Sequence, residues 1–398
     1  MHYPDGAEAL LIALQTPAPK GYLGIPVLVW GPPGVGKSSF LDALAKPEFP
    51  VLTLIASIHD PTDFSGLPVF SNGKVHYAVP EWVLEFGEQG EGILFLDELT
   101  TAPPAVQAAL LRVVLERRVG FHQLPPNVRI VAAANPPDLM TGGWDLSPPL
   151  RNRFVHIYWD LPIQVFLDAL ESDYTKAILP EIDPKEHAAV LPYWKLRALA
   201  FLKISPNLLR TSPETDKHAF ASPRAWDYAI ALMASCDLLG HAPKEGRAGN
   251  RVFYELMSGC LGDAVALPLM EFLEKLRLPN PDEVLDKKAK VDVKDLNDSE
   301  LFVLFGSLNA AIVRRYSSPN FLEALKTYFA LTQDIFDNNR RDVIYVSLRK
   351  ALKNGLLLKA LEVAQRQGSD GLKNLQSDIA TLFTDEGLKD FVEVLEKH

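Results

Sequence analysis

Residues 31–38 read Gly-Pro-Pro-Gly-Val-Gly-Lys-Ser, which fits G-x-x-x-x-G-K-[ST]. They stand between an apolar run, Val27–Trp30, and a helical pattern, Ser39–Ala45. A strand entering and a helix leaving require a β-loop-α unit, and no other feature restricts the fold as tightly. The glycines let the loop amides converge on a phosphate, and a Cβ at Gly36 would hinder that wrapping. Lys37 brings an ammonium to the β- and γ-phosphates, and the Ser38 hydroxyl can ligate Mg²⁺. Gly31, Pro32, Pro33, Gly34, Val35, Gly36 and Ser39 complete the expected contacts. The plain alternative, a Gly/Pro turn with an exposed lysine, is disfavoured by the flanking elements.

The rest of residues 1–160 reads as α/β. Val51–Ser57, Ile93–Leu96, Val128–Ala134 and Phe154–Trp159 are apolar enough for strands buried on both faces of a parallel sheet. Ala105–Val119 places Val106, Leu110, Val113 and Val114 at helical spacing. Such alternation predicts right-handed crossovers. One segment departs from it: in PVFSNGKVHYAVP, Asn72-Gly73 between two β-like pieces predicts an inserted hairpin with a type I′ turn. From residue 161 the pattern is helical. Residues 161–278 read as a helical lid of short helices, cut by Pro180, Pro184, Pro192, Pro206 and Pro213. Residues 279–298 are charged and read as a linker. Residues 299–398 form a C-terminal helical region of unassigned role, opened by Leu301, Leu304, Phe305, Leu308 and Ile312 and running to Glu396.

The chain has 398 residues, 47% hydrophobic and 23% charged, which excludes wholesale disorder. No run reaches the roughly 18 apolar residues of a membrane helix. The opening MHYPDGAEALLIALQ lacks a basic region and a cleavage site, so the expected location is the cytoplasm. Cys236 and Cys260 are too few for a disulfide framework or a structural zinc site, and read as small buried hydrophobes. The net charge is −10, and residues 1–160 carry ten Lys/Arg against sixteen Asp/Glu, which argues against a general nucleic-acid binder. Arg117, Arg118 and Lys74 near predicted loops keep that class open.

Four further places carry chemistry. Ile93–Leu96 delivers Asp97 and Glu98 to a strand's C-terminal edge, where open α/β sheets bind ligands. Asp97 suits Mg²⁺ and Glu98 suits polarising an attacking water, although an N-cap also explains the pair. Asn135 ends the next strand and is either an amide for the water or γ-phosphate, or a turn residue before Pro136. In LSPPLRNRF, Arg151 and Arg153 precede the fifth strand; a guanidinium there can stabilise transition-state charge on a neighbour's phosphate, or be merely exposed. Ser222-Pro223-Arg224 opens a helix with a good cap and a cation against the dipole, which suits a nucleotide phosphate in front of it.

In that order these motifs resemble an AAA+ ATPase. The hairpin and the phrase LTTAPPAVQAALLRVVLERRV look like the MoxR and dynein-related branch, over about residues 20–278. The resemblance implies a P-loop NTPase core and ATP with Mg²⁺ as ligands. Lys37 and Ser38 would be Walker A, Asp97 and Glu98 Walker B, and Asn135 sensor 1. Arg153, with Arg151 second, would be the arginine finger, and Arg224 sensor 2. It further implies an ATPase working as a homo-oligomeric, hexameric ring. Such a ring remodels or matures a protein client, at times with a von Willebrand factor A domain protein. Phe64, Leu67, Phe70, His76 and Tyr77 would either grip an extended polypeptide or pack in a core. The alternative function is a nucleic-acid-linked motor or a restriction-type NTPase subunit. Asn135-Pro136-Pro137-Asp138 lacks the lysine of a guanine-reading motif, which favours ATP.

Overall fold

The computed structural model describes residues 5–86, 90–136, 143–172, 177–214, 218–243, 249–276 and 278–366. The helices expected beyond residue 366 and the segment Pro137–Asp138 lie outside the described residues. Strands are β1 (Val27–Trp30), β2 (Val51–Ile55), β3 (Leu67–Ser71), β4 (Lys74–Ala78), β5 (Glu91–Asp97), β6 (Arg118–Val119), β7 (His122–Gln123), β8 (Asn127–Ala134) and β9 (Val155–Tyr158). Helices of the first part are α1 (Asp5–Gln15), α2 (Lys37–Asp42), α3 (Thr62–Ser65), α4 (Pro104–Glu116) and α5 (Pro148–Arg151). After β9 come α6 (Ile163–Ser172), α7 (Pro184–Ile204), α8 (Pro223–Leu238), α9 (Arg251–Leu261) and α10 (Asp263–Lys275). The chain continues through α11 (Pro281–Leu285), α12 (Asp298–Arg314), α13 (Phe321–Asp337), α14 (Arg341–Lys353) and α15 (Leu356–Arg366).

Five strands form one sheet in the order β2-β5-β8-β1-β9, every neighbouring pair parallel. This is the parallel sheet expected from the alternation of strands and helices. β1 is buried at all four positions and β5 at its five central ones, as strands covered on both faces must be. β2 departs from that expectation: Thr53 and Ile55 are exposed, because β2 is an edge strand paired to β5 alone. The hairpin is present, with Asn72 (φ 52°) and Gly73 (φ 74°) between β3 and β4, the left-handed pair a type I′ turn needs. All ten residues of β3 and β4 are exposed. Phe64 is instead buried in the sheet's core, so the five aromatic and apolar candidates separate into one core residue and four surface ones.

The described residues divide into two compact units, one within 1–191 and 205–274 and the other within 192–204 and 275–366. The division falls at Pro192, which lies inside α7 rather than ending a helix; Pro268 likewise lies inside α10. Helices of the lid segment are therefore longer than the prolines suggested, since burial of a helix face can offset a lost backbone bond. In the first unit, buried Cys236 and Cys260 have their thiols pushed up by desolvation, as inert core cysteines should.

The second unit has its own core, with Leu304, Phe305, Leu308, Tyr328 and Leu348 at its centre. The stretch 279–298, expected as a linker, is part of it: Val284, Leu285 and Val293 are buried there. Its charges hid this, and they are used. Asp282 accepts from Arg314 at 3.0 Å and from Arg315 at 2.9 Å, and Arg340 donates to the Val293 and Leu296 carbonyls at 2.8 and 2.6 Å. A capping box closes the start of α12, with Asn297 and Glu300 bonding each other's backbone amides.

In the first unit, α9 lies on β9 at Gly259, where an added Cβ would sit 2.1 Å from the His156 carbonyl oxygen. Gly259→Ala should cost about 1–3 kcal/mol in urea unfolding through overpacking. An unchanged midpoint would contradict this close approach.

Candidate active site

The β1–α2 loop, the end of β5 and the end of β8 meet in a cavity of 310 Å³. It is lined by Pro33 to Ser39 together with Asp97, Glu98, Ala134 and Asn135. Register brings them there. Trp30 pairs with Ala134 and Leu96 with Ala132, so the chain leaves β1, β5 and β8 at the same edge of the sheet. Gly34 and Gly36 have φ of 80° and 84°, the left-handed region, and Gly36 is the N-cap of α2. A Cβ at either would meet no protein atom within 4 Å, so within the chain itself it is the backbone conformation that calls for glycine. Gly31 differs: a Cβ there would lie 2.7 Å from the Trp159 carbonyl oxygen.

Lys37 Nζ donates to the Gly31 and Pro32 carbonyls at 2.5 and 2.9 Å and to Asn135 Oδ1 at 3.4 Å. Burial lowers its pKa, and the Asp97 charge opposes that shift. Ser38 Oγ donates to Asp97 Oδ2 at 3.3 Å. These are two hard oxygen donors side by side, which fits a Mg²⁺ ligand pair. Asp97 Oδ1 accepts from the Glu98 amide at 2.8 Å. Glu98 itself has φ 54°, a strained conformation for a non-glycine residue, and its Oε2 accepts from Ser57 Oγ at 3.2 Å. Ser57 was not singled out from the sequence; its only signal is its position just past β2. Trp159 was also missed, and its Nε1 donates to the Val35 carbonyl at 3.1 Å, holding the phosphate loop from β9.

None of the three arginines lines this cavity. Arg151 donates to the Pro213 carbonyl at 3.0 Å and lies over the Phe220 ring. Arg153 donates to the Pro149 carbonyl, while its buried Nε has no hydrogen-bond partner among the described residues. Its pKa is lowered by burial and then by the positive charge of Arg224 close by. Arg224, in the first turn of α8, faces a second cavity of 290 Å³ with Lys20, Tyr22, Arg117, Asp227 and Tyr228. Among the described residues, neither Arg153 nor Arg224 makes an ion pair. Arg117, expected near a surface loop, is buried and donates to the Gly24 carbonyl at 3.0 Å. It is not on offer to a nucleic acid.

His156 on β9 ties the arginine segment to the sheet. Trp30 Nε1 donates to its Nδ1 at 2.9 Å, so its Nε2 carries the proton given to the Arg151 carbonyl at 3.0 Å. Burial drives its pKa from 6.5 down to about 3. A depressed histidine favours the fold fully above pH 6.5 and loses that advantage as pH falls from 6.5 toward 3, where only the unfolded chain protonates.

Two measurements follow from this geometry. Lys37→Ala should weaken nucleotide binding about tenfold or more by titration calorimetry, since a charge-assisted contact is lost; unaltered binding would remove Lys37 from the site. His156→Gln should flatten the fall in unfolding free energy between pH 6.5 and about 5, a slope of at most about 1.4 kcal/mol per pH unit. An identical slope in both proteins would show that His156 protonates in the folded state.

Residues 26–154 match the family described as AAA domain (dynein-related subfamily). Over 153 residues the chain is 32% identical to Chaperone MoxR1 of Mycobacterium tuberculosis, a stretch that is 37% of this chain and 37% of that protein. It is 34% identical over 138 residues to the Psp operon transcriptional activator of Escherichia coli, covering 32% of this chain and 42% of that protein. It is 29% identical over 152 residues to the denitrification regulatory protein NirQ of Pseudomonas aeruginosa, covering 35% and 56%. The chain thus spans from about a third to just over half of the length of these curated relatives. The stretch that matches the AAA domain (dynein-related subfamily), residues 26–154, holds the phosphate loop, Asp97, Glu98, Asn135 and both arginines before β9.

Proposed function

We propose that the protein hydrolyses ATP to ADP and phosphate at sites shared between two copies of the chain in a ring, and that this cycle remodels or matures a protein client. One observation carries the reading. Among the described residues, the cavity with the phosphate loop and the hydrolytic carboxylate is lined by one cation, Lys37, while Arg153 and Arg224 stand near each other elsewhere and neither makes an ion pair. Cleaving a phosphoanhydride spreads charge over the γ-phosphoryl oxygens, and added cations there accelerate it strongly. A second copy, presenting Arg153 and Arg224 to this cavity, completes it. A closed ring of six is the arrangement the MoxR likeness favours.

Within one cavity the roles divide by chemistry. The loop amides and Lys37 hold the β- and γ-phosphates. Ser38 and Asp97 would hold Mg²⁺, which neutralises phosphate charge when bound. Glu98 takes a proton from the attacking water, and Asn135 orients that water or the γ-phosphate. Ser57 bonds the Glu98 carboxylate and would restrain it until nucleotide and neighbour are in place. Phe70, 75% exposed, Tyr77 and Phe121 offer an aromatic surface on two hairpins for an extended client, with the Tyr77 and Phe121 rings 5.4 Å apart. A von Willebrand factor A domain protein fits as a partner that brings the client.

One relative is named a transcriptional activator, which favours a second reading, a nucleic-acid-linked NTPase. Net charge −10 and the burial of Arg117 count against it. Salt-dependent retention of DNA or RNA, with turnover stimulated by that polymer, would support it.

Glu98→Gln should still bind ATP and lose turnover at least about a hundredfold, and Arg153→Ala should keep binding while losing about a thousandfold. Both are read by steady-state ATPase assay beside a binding titration. Normal rates in both would overturn the site.

A further inference from the structure

Asn152 stands between the two arginines and uses both ends of its amide. Its Nδ2 donates to the Phe220 carbonyl at 3.0 Å, and its Oδ1 accepts from Ser222 Oγ at 2.7 Å. A flipped amide would set its oxygen against the Phe220 carbonyl, so the network fixes the orientation. Ser222 is the N-cap of α8, its Oγ accepting from the Ala225 amide at 3.2 Å, and Arg224 lies in the first turn of that helix. One side chain thereby joins the end of α5, next to Arg153, to the start of α8, next to Arg224. From the opposite side His156 holds the Arg151 carbonyl. The residue before Arg153 is fixed by its side chain, and the one before that by its backbone.

The need for such a clamp is electrostatic. Two half-buried guanidinium groups near each other repel; neither makes an ion pair among the described residues, and the Glu116 charge attracts Arg153 more weakly than Arg224 repels it. Left alone, α5 and the α8 start would relieve that repulsion by separating. Kept together, the pair forms a receptor for an anion bearing several charges.

We propose that Asn152 is a positioning residue that holds Arg153 and Arg224 as one unit, so that both reach the terminal phosphate bound by the neighbouring copy. The inference rests on the shared-site reading above, and assigns to Asn152 no contact with nucleotide. Its effect must therefore appear on the neighbour's turnover and not on its own nucleotide affinity.

The test is a mixing experiment with full-length chains and MgATP. Asn152→Ala should lower turnover at saturating ATP about tenfold or more while KM stays within about twofold. Mixed with Glu98→Gln, which lacks the base but keeps the clamp, it should give more activity than the two proteins sum to separately. The Asn152→Ala cavity would then be completed by sound arginines. Arg153→Ala mixed with Glu98→Gln is the control for the shared site. Recovery in the control without recovery for Asn152→Ala, or near-normal turnover of Asn152→Ala alone, overturns the role of Asn152. Failure of the control overturns the shared site itself and this proposal with it. Should Asn152→Ala not fold, Ser222→Gly removes the same bond while remaining a tolerated N-cap, and the same criteria apply to it.

Discussion

A single register carries the nucleotide half of the molecule. β1 is paired in parallel to β8 on one side and β9 on the other, with Trp30 opposite both Ala134 and Tyr158. Beyond that row the Gly31 amide still donates to the Ala134 carbonyl at 3.2 Å, and the Trp159 amide to the Trp30 carbonyl at 2.6 Å. Gly31 is thus clasped between the two neighbouring strands, and Trp159 reaches round to the Val35 carbonyl. Shift β1 by one residue and its side chains exchange faces, Lys37 loses Asn135, and Ser38 loses Asp97. A slip that put Trp30 in the place of Gly31 is forbidden sterically, because even a Cβ there would lie 2.7 Å from the Trp159 carbonyl oxygen.

The placement of charge explains why such a domain would be incomplete alone. Lys37 is satisfied within its own chain by two carbonyls and an amide oxygen. Arg153 and Arg224 are held near each other by neutral groups, at an energetic cost that water only partly relieves. On the shared-site reading, ring closure brings a polyanion to this pair and removes the penalty at the moment the site becomes competent. Coupling between assembly and chemistry then needs no moving part beyond the approach of two copies.

Much of this was legible in the residues, for physical reasons. Gly31–Ser38 flanked by a strand and a helix admits few folds, and Asn72-Gly73 fixes a turn type through φ alone. The carboxylates and Asn135 follow because apolar runs deliver them to a common edge. What stayed hidden depends on contacts distant in sequence. Ser57 beside Glu98, Trp159 on Val35 and Asn152 on Ser222 bridge 41, 124 and 70 residues, and no local pattern announces them. The stretch 279–298 misled because its acids partner arginines of another helix, and buried Val284, Leu285 and Val293 anchor it with Ala289, Val291 and Leu296 packed against the same core. Exposure of Phe70 and Tyr77 was equally unreadable, since a hairpin's period does not say whether anything covers it.

The central claim is that catalysis belongs to a pair of chains rather than to one. Per-chain ATP turnover followed across a wide dilution series, alongside sedimentation at the same concentrations, examines it most directly. Turnover should rise in step with assembly and vanish where the protein sediments as a monomer. Full turnover from a chain that stays monomeric throughout would contradict it.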